Sequence, residues 1–328
     1  TVNDGTADSS ASSTMTIDVT AVNDLPTAAD KTVTATEDTA FVFALADFGF
    51  SDVDSGAQLQ SIAVTTLSST GTLTLNDSAV TLDQSISRSD IEAGNLKFTP
   101  AANANGTGYD SFKFTVNDGT ADSSASSTMT IDVTAVNDLP TASDKTVTAT
   151  EDTAFVFTVA DFGFSDVETA QLDSIAVTTL SSKGTLALNG SAVDSGQSIS
   201  RSDIEAGNLK FTPAANANGT GYDSFKFTVN DGTADSSASS TMTIDVTAVN
   251  DLPTAADKTV TATEDTAFVF ALADFGFSDV DSGAQLQSIA VTTLSSTGTL
   301  TLNDSAVTLD QSISRSDIEA GNLKFTPA

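Results

Sequence analysis

In STMTIDVT (127–134), apolar Met129, Ile131 and Val133 alternate with Thr130, Asp132 and Thr134. In DSFKFTVN (110–117), Phe112, Phe114 and Val116 alternate with Ser111, Lys113 and Thr115. A period of two sends successive side chains to opposite faces of a strand, so each segment predicts a β-strand with one face in a core and one in water. The same reading marks KTVTAT (31–36), TAFVFAL (39–45), SIAVTTL (61–67), GTLTLN (71–76), AVTLD (79–83) and NLKFTPA (95–101) as strands, punctuated by Gly, Asn and Asp at all-β spacing. That makes seven or eight strands per unit in an antiparallel sandwich. One helical turn is expected, in SRSDIEAGN, with Ser89 as its cap and Gly94 as its stop.

The pattern recurs. The block TVNDGTADSSASSTMTIDVTAVNDLPTA begins at Thr1, Thr115 and Thr228, and residues 1–101 are identical to residues 228–328. Repeats spaced by 114 and then 113 residues are whole domains rather than solenoid turns. The Asn-Asp and Pro of AVNDLPTA break the preceding strand, which places junctions at Asp24, Asp138 and Asp251. The expected division is an end fragment (1–23), domains 24–137 and 138–250, and a domain 251–328 that stops before its last strands. Residues 1–23 and 251–328 are accordingly expected to be two parts of one sandwich in a longer polymer.

Composition narrows the chemistry. With no Cys, His or Trp in 328 residues, the usual Zn and Cu ligand sets, Cys or Ser–His nucleophiles and disulfides are excluded, and catalysis is not expected. Twelve Lys plus Arg against 44 Asp plus Glu give a formal net charge of −32, which repels nucleic acid and anionic membranes and attracts divalent cations. No apolar run is long enough for a membrane span in this segment. An acidic, Ser/Thr/Asn-rich repeat without Cys fits an extracellular bacterial protein that relies on ions for rigidity.

The acid is clustered: TED (Glu37, Asp38), SDVDSG (Asp52, Asp54), VNDG (Asn117, Asp118) and the linker VND (Asn23, Asp24). Carboxylates and Asn carbonyls one residue apart in a Gly-containing loop are the oxygen donors Ca²⁺ uses, although Asp and Asn at strand ends are also ordinary turn formers. Phe41, Phe43, Phe48 and Phe50 read as core rather than as a glycan platform. Lys97 and Lys113 fall on the wet phase of their strands, against an isopeptide role.

The EDT run, FGFSDVDSGAQL, ISRSDIEAGNLKFTPAANANGTGYDSFKFTVNDG and the closing TMTIDVTAVNDLP resemble the cadherin-like tandem repeats of giant bacterial surface adhesins, over the whole repeat. The resemblance implies Ig-like, cadherin-like Greek-key sandwiches arranged end to end, with Ca²⁺ between consecutive domains. It implies Asn23, Asp24, Asp52, Asp54 and Asp118 as ligands at the first junction. At the second it implies Glu37, Asn137, Asp138, Asp166, Glu168 and Asp231, and at the third Glu151, Asn250, Asp251, Asp279 and Asp281. The chain departs from the animal cadherin pattern at Ala135 and Leu139, at Asn103 and Asn105 where an acidic pair is expected, and at Glu168-Thr169 where the middle repeat loses Asp and Gly. Fewer anionic ligands imply one or two ions per junction rather than three.

The function expected on these grounds is structural: an extender or stalk segment of a bacterial cell-surface adhesin, rigidified by Ca²⁺ at its joints. The alternative is a self-assembling module of an extracellular filament or sheath. The expected partners are calcium, neighbouring repeats and further copies of the chain.

Overall fold

The structure, a computed structural model, describes residues 1–168 and 170–328; Thr169, where the middle repeat loses its glycine, lies outside the described residues. The chain divides into two compact units, Thr1–Asp138 and Leu139–Ala328.

The first unit holds β1 (Thr27–Ala28), β2 (Lys31–Thr36), β3 (Phe41–Val42), β4 (Phe50–Ser51), β5 (Ser61–Thr66), β6 (Thr72–Leu75), β7 (Ser78–Ala79), β8 (Ser85–Ser87), α1 (Arg88–Glu92), β9 (Leu96–Thr99), β10 (Gly106–Asn117) and β11 (Ser127–Thr134). One sheet runs β2-β11-β10-β5-β8, the other β3-β9-β6-β7, and β1 pairs with β4. The inward phase of the alternation fills the space between the sheets. Val33, Ile62, Val64, Phe98, Phe112, Phe114, Met129 and Ile131 are all buried there. Phe43 stands edge-on to Phe112 with ring centroids 5.6 Å apart, and Phe48 edge-on to Phe114 at 5.1 Å, the quadrupole-favoured arrangement. Burying each such ring contributes roughly 1.5–3 kcal/mol.

Four expectations are corrected. The pair β2–β11 is parallel, in the register Ile131↔Val33 and Val133↔Ala35, so the sandwich is not wholly antiparallel. The predicted strand 39–45 is cut to Phe41–Val42, because the chain turns into a 3₁₀ segment, Leu45–Phe48, that drops Phe48 into the core. The predicted strand 79–83 is only the second arm of a tight hairpin, β7, since Gln84 Oε1 accepts from Thr81 N at 2.8 Å and folds the following residues into a turn. The helical turn is capped by Ser87, not Ser89: Ser87 Oγ accepts from Asp90 N at 3.1 Å and donates to Asp90 Oδ2 at 2.6 Å. Gly94 stops it as expected, at φ 73°.

The second unit repeats this plan between Thr141 and Thr247. Its five-stranded sheet pairs Lys145–Thr150 in parallel with Ser240–Thr247, around a core that includes Phe157, Phe162, Phe211, Phe225 and Phe227. Residues 251–328 in the same unit carry a smaller core of Val307, Ile313, Ile318 and Leu323. In the first unit, residues 1–22 form only an isolated bridge, Asn3↔Asp8, and Met15, Ile17 and Val19 are exposed. Among the described residues no helix is long and apolar enough to cross a membrane.

The parallel pairing fixes the site. Two strands running the same way end at the same pole, so the end of β2 and the exit of β11 arrive together. Glu37 N donates to Thr134 O at 3.0 Å, and in the second unit Glu151 N donates to Thr247 O at 3.0 Å. The TED acid of each domain therefore stands beside the chain leading out of it.

Candidate metal centre

Glu37 and Glu151 are almost fully buried, at 1% and 2% exposure, which an unpaired carboxylate could not tolerate. Each is held from two sides. Glu37 Oε1 accepts from Val136 N and Oε2 from Asn105 Nδ2 at 2.9 Å; Glu151 Oε1 accepts from Val249 N and Oε2 from Asn218 Nδ2 at 2.8 Å. Both acids thereby anchor the linker backbone to the loop before the long penultimate strand.

In the second unit this buried acid joins a cluster. Ligand atoms of Glu151, Asp251 and Asp281 lie within 4.8 Å of one another. Asp251 N donates to Asp281 Oδ2 at 2.9 Å, Asp281 N to Asp279 Oδ1 at 2.8 Å, and Asn250 Nδ2 to Asp251 O at 2.6 Å. All five residues implied for the third junction are thus drawn into one group. Asp251 Oδ2 is buried and has no hydrogen-bond partner. Burial, then the charges of Asp152, Asp281, Glu151 and Asp279, push the Asp251 carboxyl above the usual carboxylate range. The resolved shifts of Asp4, Asp90, Asp110, Asp118, Asp203, Asp223 and Asp317 all run the other way. Anionic oxygens crowded around one buried oxygen that no donor reaches are the donor set a hard cation fits.

The opposite pole of the first unit gathers the first-junction set in the same way. Asn23 Nδ2 donates to Asp118 Oδ2 at 3.1 Å, Asp24 N to Asp54 Oδ2 at 2.9 Å, and Asp54 N to Asp52 Oδ1 at 2.7 Å. Asp52 Oδ2 is left buried and unpartnered. The Asp118 carboxyl is held below the usual range by the N–H groups of Ala121 and Thr120, so it stays ionised.

Of the set implied around Asp138, Glu37, Asn137 and Asp138 lie in the first unit, and Asp166, Glu168 and Asp231 in the second. Asn137 Nδ2 donates to Asp138 O at 2.7 Å. Asp166 Oδ1 accepts from Ala170 N at 3.2 Å, and its Oδ2 is buried without a partner.

Several participants escape the sequence reading. Asp38 Oδ1 accepts from Asn103 N at 3.1 Å, and Asp152 Oδ1 from Asn216 N at 3.0 Å, so the acid after each buried Glu also faces the pole. The signal was present in the TED clusters, but which of two adjacent acids turns where depends on backbone angles: Asp38 and Asp152 have φ of 55° and 57°. Asn105 and Asn218 appear in sequence only as missing acids; in the fold they satisfy the buried Glu.

A family model described as "Bacterial Ig domain" matches residues 23–134 and 137–247. The chain belongs to the bacterial Ig domain family. Its tandem bacterial Ig domains are similar to a protocadherin gamma B7 fragment with extracellular cadherin domains 1–4, at 12% identity and a TM-score of 0.45, over 92% of this chain and 66% of that one. They are similar to Drosophila N-cadherin EC1-4 at 12% identity and a TM-score of 0.32, over 94% and 68%. An endo-fucoidan hydrolase of glycoside hydrolase family 107 is similar at 18% identity and a TM-score of 0.23, and the chain spans only 29% of its length. No curated protein matches the chain.

Proposed function

We propose that these bacterial Ig domains are a stretch of the extender region of a bacterial cell-surface adhesin, a structural module with Ca²⁺ at its domain ends. The observation that carries the reading is the convergence of Glu151, Asp251 and Asp281 within 4.8 Å around a buried, unpartnered Asp251 oxygen. Glu151 belongs to one domain, Asp251 to the linker and Asp281 to the next repeat, so a shared ligand ties all three. Hard carboxylate and carbonyl oxygens without N or S donors favour Ca²⁺ over transition metals. Bound there, the cation neutralises carboxylates that otherwise repel.

The chain's own residues supply the rest. Asn218 and Val249 N hold Glu151 in place, and the Asp281 carboxylate fixes the linker backbone through Asp251 N. A segment repeated nearly letter for letter adds length and copies of this joint rather than a unique pocket, which supports a mechanical over a catalytic role.

The test is calorimetry and sizing of the whole chain in Ca²⁺ and in excess chelator. Binding to the folded state raises stability by mass action, so chelation is expected to lower Tm, and freeing the joints is expected to change the hydrodynamic radius. Identical melting curves and radii in the two buffers would refute the calcium reading.

A further inference from the structure

We propose that the Asn189–Gly190 step, at the tip of the hairpin joining Thr185–Leu188 to Ser191–Ala192, is a self-modification site at which the Asn189 amide is exchanged for a carboxylate. The chemistry needs water but no ion and no second protein. It asks three things of the chain: an exposed Asn amide, a following main-chain N–H free to lose its proton, and little bulk on the residue that carries it.

Asn189 and Gly190 are both exposed. They are the two central residues of the turn, with φ of 51° and 80°, between the paired Leu188 and Ser191. Positive angles at both positions mark the type I′ hairpin, which leaves the second central N–H outside the ladder. Gly190 N accordingly donates to no group among the described residues. A Cβ placed on Gly190 would meet nothing within 4 Å, so the nitrogen is open to water. The Asn189 amide is tied by one long hydrogen bond, Nδ2 to Asp203 Oδ1 at 3.4 Å. The deprotonated Gly190 nitrogen attacks Asn189 Cγ; a nitrogen–carbon bond forms, the Cγ–Nδ2 bond breaks, and ammonia leaves with the proton. One water then opens the five-membered imide. Cleavage at Cγ restores the main chain with Asp, and cleavage at the main-chain carbonyl leaves the chain running through Cβ as isoaspartate. The sum is amide plus water to carboxylate plus ammonium.

The fold shuts the comparable steps. Asn105–Gly106 and Asn218–Gly219 have the same two residues, but their amides donate to the buried Glu37 and Glu151 at 2.9 and 2.8 Å, and each glycine opens a long strand opposite Val133 or Val246. At Asp4–Gly5, Asp118–Gly119 and Asp231–Gly232, where an acid could cyclise with loss of water, the glycine N donates at 2.7 Å to Oδ1 of Asn3, Asn117 and Asn230. In the sister hairpins Asp77 and Asp304 stand in place of Gly190 and put a side chain beside the nitrogen. The exchange also has a local consequence. Asp203 accepts from Ser200 Oγ at 2.7 Å and Asn208 Nδ2 at 3.1 Å, and after the exchange it faces a carboxylate where Asn189 was a donor. The tie between the hairpin tip and the Arg201–Glu205 turn is then lost.

The test is incubation of the full chain at mildly alkaline pH, folded and in urea, followed by peptide mapping by mass spectrometry with fragmentation that separates Asp from isoaspartate. Groups held by the fold react only through local opening. In the folded chain the Asn189 peptide is therefore expected to convert at least tenfold faster than the peptide, identical in both repeats, that holds Asn105 and Asn218; in urea the rates are expected to be similar. Gly190→Asp, which copies the sister hairpins, is expected to slow conversion at Asn189 at least tenfold. An Asn189 that stays an amide in the folded chain overturns the proposal. So does an Asn105 and Asn218 peptide that keeps pace with it when folded, or a Gly190→Asp chain that converts as fast as wild type.

Discussion

Asp110 sits on the inward phase of β10, in line with Phe112, Phe114 and Val116, and is 5% exposed. A charge in that position survives because four backbone N–H groups surround it: Ser69 and Thr70 at 3.0 Å, Gly71 and Ser111 at 2.8 Å. Asp223 repeats the arrangement with Ser182, Lys183, Gly184 and Ser224. Burial works against ionisation, yet the donors outweigh it, and both carboxyls lie below the usual range. A folded pKa below the unfolded value means the stabilisation is present above the unfolded value, about 3.9, and is lost as pH falls through the folded one. Asp110→Asn replaces one acceptor oxygen with a donor facing donors, so a loss of about 1–3 kcal/mol is expected by urea unfolding at neutral pH. The difference from wild type should shrink as pH is lowered below about 4; a constant difference across that range would show that the charge is not what stabilises the loop.

At the scale of elements, α1 tests which serine caps. Ser87 receives Asp90 N and returns a hydrogen bond to Asp90 Oδ2, whereas the Ser89 hydroxyl only meets that of Ser87 at 2.8 Å. Ser87→Ala is expected to cost about 1 kcal/mol and Ser89→Ala much less, each measured by thermal unfolding. Equal losses would return the cap to Ser89. The neighbouring sheet has less tolerance: a Cβ on Gly71 would come within 2.3 Å of Phe98 Cζ, so the β6 entrance requires glycine for close approach rather than for its backbone angle.

At the scale of the whole chain, a net charge of −32 makes self-repulsion general, while the acidic clusters at the domain ends are local. Raising NaCl shortens the screening length from about 30 Å at 0.01 M to about 8 Å at 0.15 M, which should raise Tm even in chelator. CaCl₂ at the same ionic strength should raise it further, because site binding adds to screening. Equal melting temperatures in the two salts would assign the whole effect to diffuse charge.

The strands, their wet and dry faces, the repeat and the acidic clusters were legible in the chain, because a period of two and a run of Asp are local facts. Met129, Ile131 and Val133 had to face inward whichever strand lay beside them. The parallel partnership of β2 with β11 was not legible: it joins residues about a hundred positions apart, and alternation is the same for either direction of pairing. Asp110 could have been picked out as an acid on an apolar phase, but its donors come from a loop some forty residues earlier. The sequence by itself determined the sandwich and the kind of chemistry, hard oxygen and negative charge. Which oxygens meet was decided by tertiary structure, because parallel pairing carries Glu151 to the exit of its own domain and left-handed turns at Asp38 and Asp152 aim a second acid at the same pole.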